Sequence, residues 1–171
     1  MTDEQPEQKT SRILHIDIER DQQIFVPAER LHEQTVAIYD LLDDNRFALK
    51  EDSRQGLVRS YRLYLKTDFR HVYFDVRDED DNVLNGFGMA LGPFRRIVRE
   101  YHIVCTSYYD AIRTKSPSQI QAIDMGRRGL HDEGAELLND RLSRYAELDK
   151  QTARRLFTLV FVLIHKADRK P

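Results

Sequence analysis

The hydrophobic pattern of this chain changes its period along the sequence. Near the start, ILHIDIE alternates Leu14, Ile16 and Ile18 with polar residues, which is the two-residue period of a half-buried strand. The stretches YRLYL, HVYFDV and NGFGMAL repeat this period in the middle of the chain, and their short connections predict hairpins or an antiparallel meander. The residues predicted to face the core on these three strands are Tyr61, Leu63, Leu65, Val72, Phe74, Val76, Phe87, Met89 and Leu91.

A helix is predicted between the first strand and the others. In VPAERLHEQTVAIYDLLDD, four residues fall on one helical stripe, and Pro27 is tolerated in the first turn. The residues of the stripe are Leu31, Thr35, Ile38 and Leu42.

Three more helices are predicted after the strands. The first follows Pro93, and the second begins at Ser116, whose spacing to Gln119 is that of a capping box. Asp149 is placed to cap the last helix, which runs through Ile164. Strands followed by helices predict an α+β fold: a small antiparallel sheet packed against a mostly C-terminal set of helices in a single domain.

Composition bounds the domain organisation and the compartment. A chain of 171 residues is long enough for one core, which we expect over residues 11–168. Residues 1–10, MTDEQPEQKT, are polar and acidic, which predicts a disordered tail and no secretory signal. The single cysteine, Cys105, excludes an intramolecular disulfide and favours a reduced, cytoplasmic compartment. The apolar run at 156–164 is about half of the roughly 20 residues that span a bilayer, so it predicts a buried helix and no membrane contact.

The segment IDMGRRGLHDEG at 123–134 concentrates three glycines and two arginines in a helical context. Each glycine costs a helix about 1 kcal/mol relative to alanine. At about 100° per residue, Gly126 and Gly134 fall on the apolar face, which favours a continuous helix whose glycines admit a close neighbour. Two alternatives stay open. One is a structural turn, and the other is a GRRG loop that grips a nucleic-acid backbone as the GxxG loop of KH domains does.

A local excess of basic residues is the strongest functional signal. Between residues 95 and 131, seven Lys and Arg side chains stand against three Asp and Glu, although the whole chain has 27 basic and 29 acidic residues. The excess predicts an anion-binding surface, which the positive end of the helix dipole after Pro93 favours further. The alternative is a basic face that is only solvated or that pairs with the acidic DEDD loop at 78–81. The residues assigned to the anion-binding surface are Arg95, Arg96, Arg99, Arg127 and Arg128.

Three further side chains are candidates for chemistry. His131 precedes Asp132 and Glu133, and Cys105 lies three residues after His102 on the same predicted helix. A base close to a thiol is the arrangement that nucleophilic catalysis needs. The competing interpretations are structural: an exposed histidine at 131, and a core thiol with a raised pKa at 105.

No motif implies a cofactor or a metal. GFGMAL begins like a dinucleotide-binding loop but has Leu91 in place of the third glycine, and GLHDEGAE lacks the lysine of a phosphate-binding loop. DEDDN offers Asp78, Asp80 and Asn82 as the first ligands of a calcium loop, yet Val83 replaces the turn glycine. We therefore expect no cofactor and no metal, and a charged hairpin loop at 78–82.

Six segments of the chain resemble a known protein family. One lies in the first predicted helix, and the others follow one another over most of the second half of the chain. They are AIYDLL, GPFRRIVREY, SYYDAIR, SPSQIQAIDMGRRGLHDEG, DRLS and TARRLFTL. With these segments the chain resembles the uncharacterised alphaproteobacterial family UPF 0262. The resemblance implies a bacterial cytoplasmic protein and carries over no activity, cofactor, partner or site residue.

Two functions of different classes are consistent with these residues. The first is a non-catalytic cytoplasmic binding module whose basic helical surface meets an anionic partner: a nucleic acid, a phosphate ligand or an acidic protein. The second is a small enzyme that uses His131 or Cys105 with neighbouring carboxylates. A homo-oligomer built on the last apolar helix is a third arrangement. The residues alone do not decide whether the protein is an enzyme.

Overall fold

A computed structural model of the protein describes residues 9–19, 26, 28–68 and 70–164. Residues 1–8 of the predicted tail, Pro27 and residues 165–168 of the predicted domain lie outside these ranges. The strands are β1 (Arg12–Glu19), β2 (Phe47–Leu49), β3 (Ser60–Thr67), β4 (His71–Arg77), β5 (Val83–Ala90) and β6 (Ala146–Leu148). The helices are α1 (Ala28–Asp43), α2 (Lys50–Arg54), α3 (Arg95–Thr114), α4 (Pro117–Leu142) and α5 (Lys150–Ile164). The predicted α+β class is confirmed.

Four strands form the main sheet in the order β1-β3-β4-β5. As predicted, β3, β4 and β5 pair antiparallel, with Leu65 opposite Phe74 and Phe74 opposite Phe87. Strand β1 differs, because it pairs parallel with β3 and places Ile16 opposite Leu63. Parallel neighbours need a long crossover, which the segment containing α1 supplies. The sheet is therefore mixed, and β1 and β3 begin at the same edge.

Strand β1 contains a register shift between Ile13 and His15. The sequence alternation predicts Leu14 in the core, but Leu14 is exposed and Ile13 is fully buried. The Asn45 side chain accepts a hydrogen bond from the Ile13 backbone N–H at 2.7 Å, and donates to the carbonyl oxygens of Ile13 and Leu41 at 2.9 and 2.7 Å. Asn45 thus bonds the Ile13 backbone as a neighbouring strand would, and ties it to the end of α1.

Helix α5 lies at the centre of the molecule. It contacts β3, α1 and α4, and it buries eight of its residues. A helix that is apolar on most sides is stable only between other elements. The predicted burial of the run at 156–164 is confirmed, with Leu163 and Ile164 half-buried. Because this apolar surface is used inside the fold, it no longer provides a basis for a homo-oligomer. Within the described ranges, every helix is too short or too polar to cross a membrane.

The predicted helix starts are present at α4 and α5. The Ser116 hydroxyl accepts from the Gln119 N–H, and the Gln119 side chain accepts from the Ser116 N–H at 3.2 Å, which completes the capping box. Asp149 Oδ1 accepts from the Thr152 N–H at 2.9 Å at the start of α5. Both caps satisfy backbone donors that a helix start leaves unpaired.

Two further features of the fold differ from the sequence prediction. The short strands β2 and β6 pair antiparallel in a separate sheet, which no hydrophobic period over three residues indicates. Helix α1 also turns a different stripe inward, because it packs against both α5 and β1. Its buried residues are Gln34, Ala37 and Leu41, whereas Leu31, Ile38 and Leu42 are half-buried and Thr35 is exposed.

Candidate functional site

Helix α4 runs without a break through the glycine-rich segment. The predicted continuous helix is confirmed, and both the structural turn and the KH-like loop are excluded. A β-carbon placed on Gly134 would lie 2.2 Å from Cζ of Phe157, so this glycine permits close packing. A β-carbon on Gly126 or Gly129 would meet nothing closer than 4.0 Å. Packing therefore accounts for Gly134 and not for the other two glycines.

Arg96 is bound by two carboxylates. Its Nη1 lies 2.8 Å from Oε2 of Glu100, one turn along α3, and its Nη2 bonds Glu133 of α4. The hydrogen bond to Glu133 is the main reason that the pKa of Arg96 is raised. These contacts join α3 and α4 at an exposed edge, where 54% of the Arg96 side chain remains exposed.

Arg127 and Arg128 share a single carboxylate, that of Asp124. Arg127 Nη2 lies 2.6 Å from Asp124 Oδ1, and Arg128 Nε lies 2.9 Å from Oδ2. The hydrogen bond from Arg127 is the largest cause that holds the pKa of Asp124 below its usual range. The guanidinium carbon of Arg127 also lies 4.9 Å from the ring centroid of Tyr108. Arg127 is therefore held between the helices, whereas Arg128 remains 68% exposed.

The five arginines fall into two groups. The α3 arginines, Arg95, Arg96 and Arg99, are exposed in the first turns of α3. The α4 arginines are Arg127 and Arg128. Glu133, which binds Arg96, follows Arg128 by five positions, so the two lie about 140° apart around α4. The structure therefore brings the α3 arginines together and places Arg128 on a different side of α4.

The acidic loop at 78–81 contacts side chains of the main sheet. Asp81 accepts hydrogen bonds from Arg77 at 3.0 Å and from the Tyr64 hydroxyl at 2.8 Å, and it lies 3.7 Å from Arg62. The Asp78 carboxylate accepts two backbone N–H groups of the turn between β4 and β5. The predicted hairpin loop at 78–82 is confirmed. The carboxylate partners of Arg96, Arg127 and Arg128 come from α3 and α4 themselves.

His131 is packed between α4 and α5. Its Nε2 lies 2.9 Å from Oγ1 of Thr158, and its ring centroid lies 5.5 Å from that of Tyr101 and 5.2 Å from that of Phe157. Burial lowers the pKa of His131 to about 4, and two nearby arginines add to the effect. The imidazole is therefore neutral near pH 7, and the expectation of an exposed histidine is wrong.

Cys105 and His102 have different neighbours. Cys105 is half-buried, and burial raises the pKa of its thiol. His102 Nδ1 lies 2.6 Å from Nη2 of Arg30 in α1. A guanidinium only donates, so this nitrogen of His102 accepts the hydrogen bond and carries no proton. A thiol of raised pKa is mostly protonated near pH 7 and is therefore a poor nucleophile.

A cleft of about 1160 Å³ lies at the edge where β1 and β3 begin. The loop after α1 and the turn between β4 and β5 complete its walls, and Arg12, Arg46 and Arg59 line it. No pattern in the sequence predicts these residues as a group. The three arginines are scattered over 48 positions of the chain, and only the parallel pairing of β1 with β3 brings two of them together.

Comparison with known proteins agrees with the resemblance noted in the sequence. A UPF0262 protein of Cereibacter sphaeroides is 46% identical over 154 residues, which are 90% of this chain and 98% of that protein. UPF0262 proteins of Rhodospirillum rubrum and Mesorhizobium japonicum are 47% and 49% identical, over 86% of this chain and 90% and 91% of their own. No solved structure matches. Since the model of the uncharacterised protein family UPF0262 also matches residues 10–166, the chain belongs to that family.

Proposed function

We propose that this protein is a non-catalytic binding module of the bacterial cytoplasm that recognises phosphate groups of an anionic partner. The observation that carries the proposal is the group of α3 arginines, Arg95, Arg96 and Arg99, which are exposed within five consecutive residues of one helix. Arginine binds phosphate through two parallel N–H donors, which lysine does not offer. Arg127 and Arg128 flank this contact as a second, separate group.

The internal ion pairs of Arg96 do not prevent this role. Exposed ion pairs stabilise a protein by only about 0–1 kcal/mol. A phosphate brings more charge and more acceptor oxygens than a carboxylate. An incoming phosphate can therefore replace Glu100 and Glu133 as the partner of Arg96 at low cost.

The overall charge of the chain makes binding depend on the local group. The net charge of −2 gives no general attraction to polyanions. Three arginines that each neutralise one phosphate of a single strand predict a slope of about −2 for log affinity against log salt concentration.

The environments of His131 and Cys105 support the proposal that the protein is non-catalytic. A general base works best when its pKa lies near the operating pH, and burial moves the pKa of His131 to about 4. Burial moves the pKa of the Cys105 thiol in the other direction, which lowers its thiolate fraction.

Fluorescence anisotropy with a labelled single-stranded RNA of mixed sequence tests the proposal. We expect binding with the salt slope above, and a loss of at least about tenfold in affinity for Arg95→Ala/Arg99→Ala. The matched control is Arg54→Ala/Arg144→Ala, which removes the same charge from exposed positions outside α3 and should change affinity less than about twofold.

Equal losses in the two double variants, or no RNA binding by the natural protein, would contradict the proposal. A labelled poly-glutamate peptide serves as the second probe. If it binds more tightly than the RNA, the partner is an acidic protein and phosphate recognition is wrong.

A further inference from the structure

Strand β5 forms one edge of the main sheet, and among the described residues β4 is the only strand that pairs with it. The Leu91 N–H donates to the Arg70 carbonyl at 2.8 Å, which adds one hydrogen-bonded pair at the end of this ladder. Such pairs recur at every second residue of an antiparallel ladder, so Met89, Phe87 and Asn85 also turn their backbone groups toward β4. The residues whose N–H and C=O groups turn to the free edge are Gly86, Gly88 and Ala90.

These three residues leave the free edge of β5 uncovered. Gly86 and Gly88 have no side chain, Ala90 has only a methyl group, and all three residues are exposed. Backbone groups of an edge strand that no side chain shields are able to pair with a strand of another chain. The edge of β5 is therefore open to strand addition.

The sequence of β5 also lacks the features that usually prevent edge pairing. Residues 82–94 contain no Asp, Glu, Lys or Arg, although these four types make up 33% of the chain. The opposite edge strand, β1, carries charged side chains, and Asn45 occupies the N–H and C=O groups of Ile13. Charges and covering groups are how natural sheets protect their edges. By this criterion β1 is protected and β5 is not.

A second copy of β5 fits this edge when the two strands run antiparallel about a two-fold axis. The ladder is regular from Asn85 to Ala90, so the axis falls at Gly88, the middle one of the three free-edge residues. Gly86 then faces Ala90 of the partner subunit, and Gly88 faces its own copy. This pairing forms about six backbone hydrogen bonds between residues whose side chains are absent or small.

The charges at the two ends of β5 favour this antiparallel direction. The acidic turn at 78–81 precedes the strand, and the α3 arginines follow it. Parallel strands of two copies would place like charges side by side, whereas antiparallel strands bring opposite charges to each end of the pair. The edge is therefore complementary to itself in charge as well as in hydrogen bonding.

We propose that β5 is an interaction surface for a second copy of this chain, and that two four-stranded sheets join through it into one continuous sheet. Such a contact uses the same surface of both copies and closes after two subunits. It also removes an exposed edge that invites aggregation. Because the contact is small, we expect a dimer that dissociates on dilution. The proposal does not depend on phosphate recognition.

Analytical ultracentrifugation at low and high micromolar concentration tests the proposal. We expect the natural protein to show a reversible equilibrium between monomer and dimer. Gly86→Lys/Ala90→Lys should weaken the dimer about tenfold, because it sets lysines opposite each other at two places. The subunit itself tolerates both changes, since a β-carbon on Gly86 would meet nothing closer than 4.0 Å and Ala90 is exposed.

The matched control is Gly86→Lys/Ala90→Glu, which changes the same two positions. It sets each lysine opposite a glutamate, so it should dimerise at least as tightly as the natural protein. A natural protein that stays monomeric would overturn the proposal, and so would a Gly86→Lys/Ala90→Lys variant that dimerises normally. Equal losses in the two variants would also overturn it.

Amide hydrogen exchange measured by NMR gives a second result at the strand itself. The amides of Gly86, Gly88 and Ala90 should exchange more slowly at high protein concentration than at low concentration. Those of Phe87 and Met89, which bond β4, should exchange at the same rate in both. Exchange at the three free-edge amides that does not depend on concentration would contradict the proposal. None of these measurements uses RNA, so their outcome is separate from that of the function proposed above.

Discussion

Gly134 of α4 lies so close to Phe157 of α5 that a β-carbon at position 134 would stand 2.2 Å from Cζ of the ring. Phe157 is fully buried, and its ring also packs on Tyr101 and His131. The ring therefore cannot move away without disturbing other buried contacts. The approach of α4 to the central helix α5 depends on the absence of a side chain at this glycine.

Gly134→Ala is expected to destabilise the protein by about 2–3 kcal/mol, because the added methyl overpacks the helix contact. Gly129→Ala is the matched control on the same helix. A β-carbon there meets nothing within 4 Å, and the better helix propensity of alanine should stabilise by about 0.5–1 kcal/mol. Urea denaturation of both variants measures whether each substitution lowers or raises the free energy of unfolding. A change of the same sign in both would contradict the packing explanation.

The pKa of His131 predicts a loss of stability in acid. The unfolded histidine takes up its proton near its ordinary pKa of 6.5, whereas the folded one does so only near 4. The contribution of His131 to the free energy of unfolding is therefore fully present above pH 6.5. It is lost as the pH falls toward 4, by about 3 kcal/mol in total.

Replacement of His131 isolates this contribution. The free energy of unfolding of His131→Gln should depend less on pH between 6.5 and 4 than that of the natural protein. His32→Gln, at an exposed position, should show the same pH dependence as the natural protein. Urea denaturation at several pH values gives these slopes. An NMR titration in which the His131 ring protonates near pH 6.5 would refute the prediction.

Asn45→Ala should destabilise the protein by about 2–4 kcal/mol. Its amide forms three hydrogen bonds to backbone groups of Ile13 and Leu41, and alanine leaves those groups buried and unpaired. Asn82→Ala, in the exposed turn, is the comparison and should cost less than about 1 kcal/mol. Thermal unfolding of the two variants gives the difference, and equal midpoints would show that the Ile13 backbone finds other partners.

Tyr61→Phe should destabilise the protein by about 1–3 kcal/mol, because Asp52 and the Leu49 N–H lose their partner. The Tyr61 hydroxyl donates to Asp52 at 2.7 Å and accepts from Leu49 at 3.1 Å. Burial raises the pKa of Tyr61, so the hydroxyl stays protonated and keeps both roles. Tyr39→Phe, at a side chain that is 72% exposed, should be neutral in the same denaturation experiment.

The helices of the second half and the strands of the middle were predictable because their signals are local. The capping box at Ser116 and the cap at Asp149 act within three residues, so they are visible in the sequence. The alternation on β3, β4 and β5 follows from one buried face of a sheet. Even the unbroken α4 followed from placing Gly134 on the apolar face.

The candidate site was less predictable, since it depends on contacts between distant residues. The clustering of basic residues between 95 and 131 is a property of the sequence, but the contact of Arg96 with Glu133 joins two helices. The hydrogen bond of His131 to Thr158 and its low pKa need α5 beside α4. No spacing within one helix indicates these neighbours.

The sequence by itself determined the α+β class, the order of the four longer strands and the four longer helices, the helix caps and the family. These properties rest on periodicity and on interactions across a few residues. The tertiary structure alone decided the parallel direction of β1, the burial of Ile13 in place of Leu14, the separation of the arginines into two groups and the cleft at the start of β1 and β3. Each of these depends on which distant segments meet, and that is settled by the joint packing of the sheet and α5.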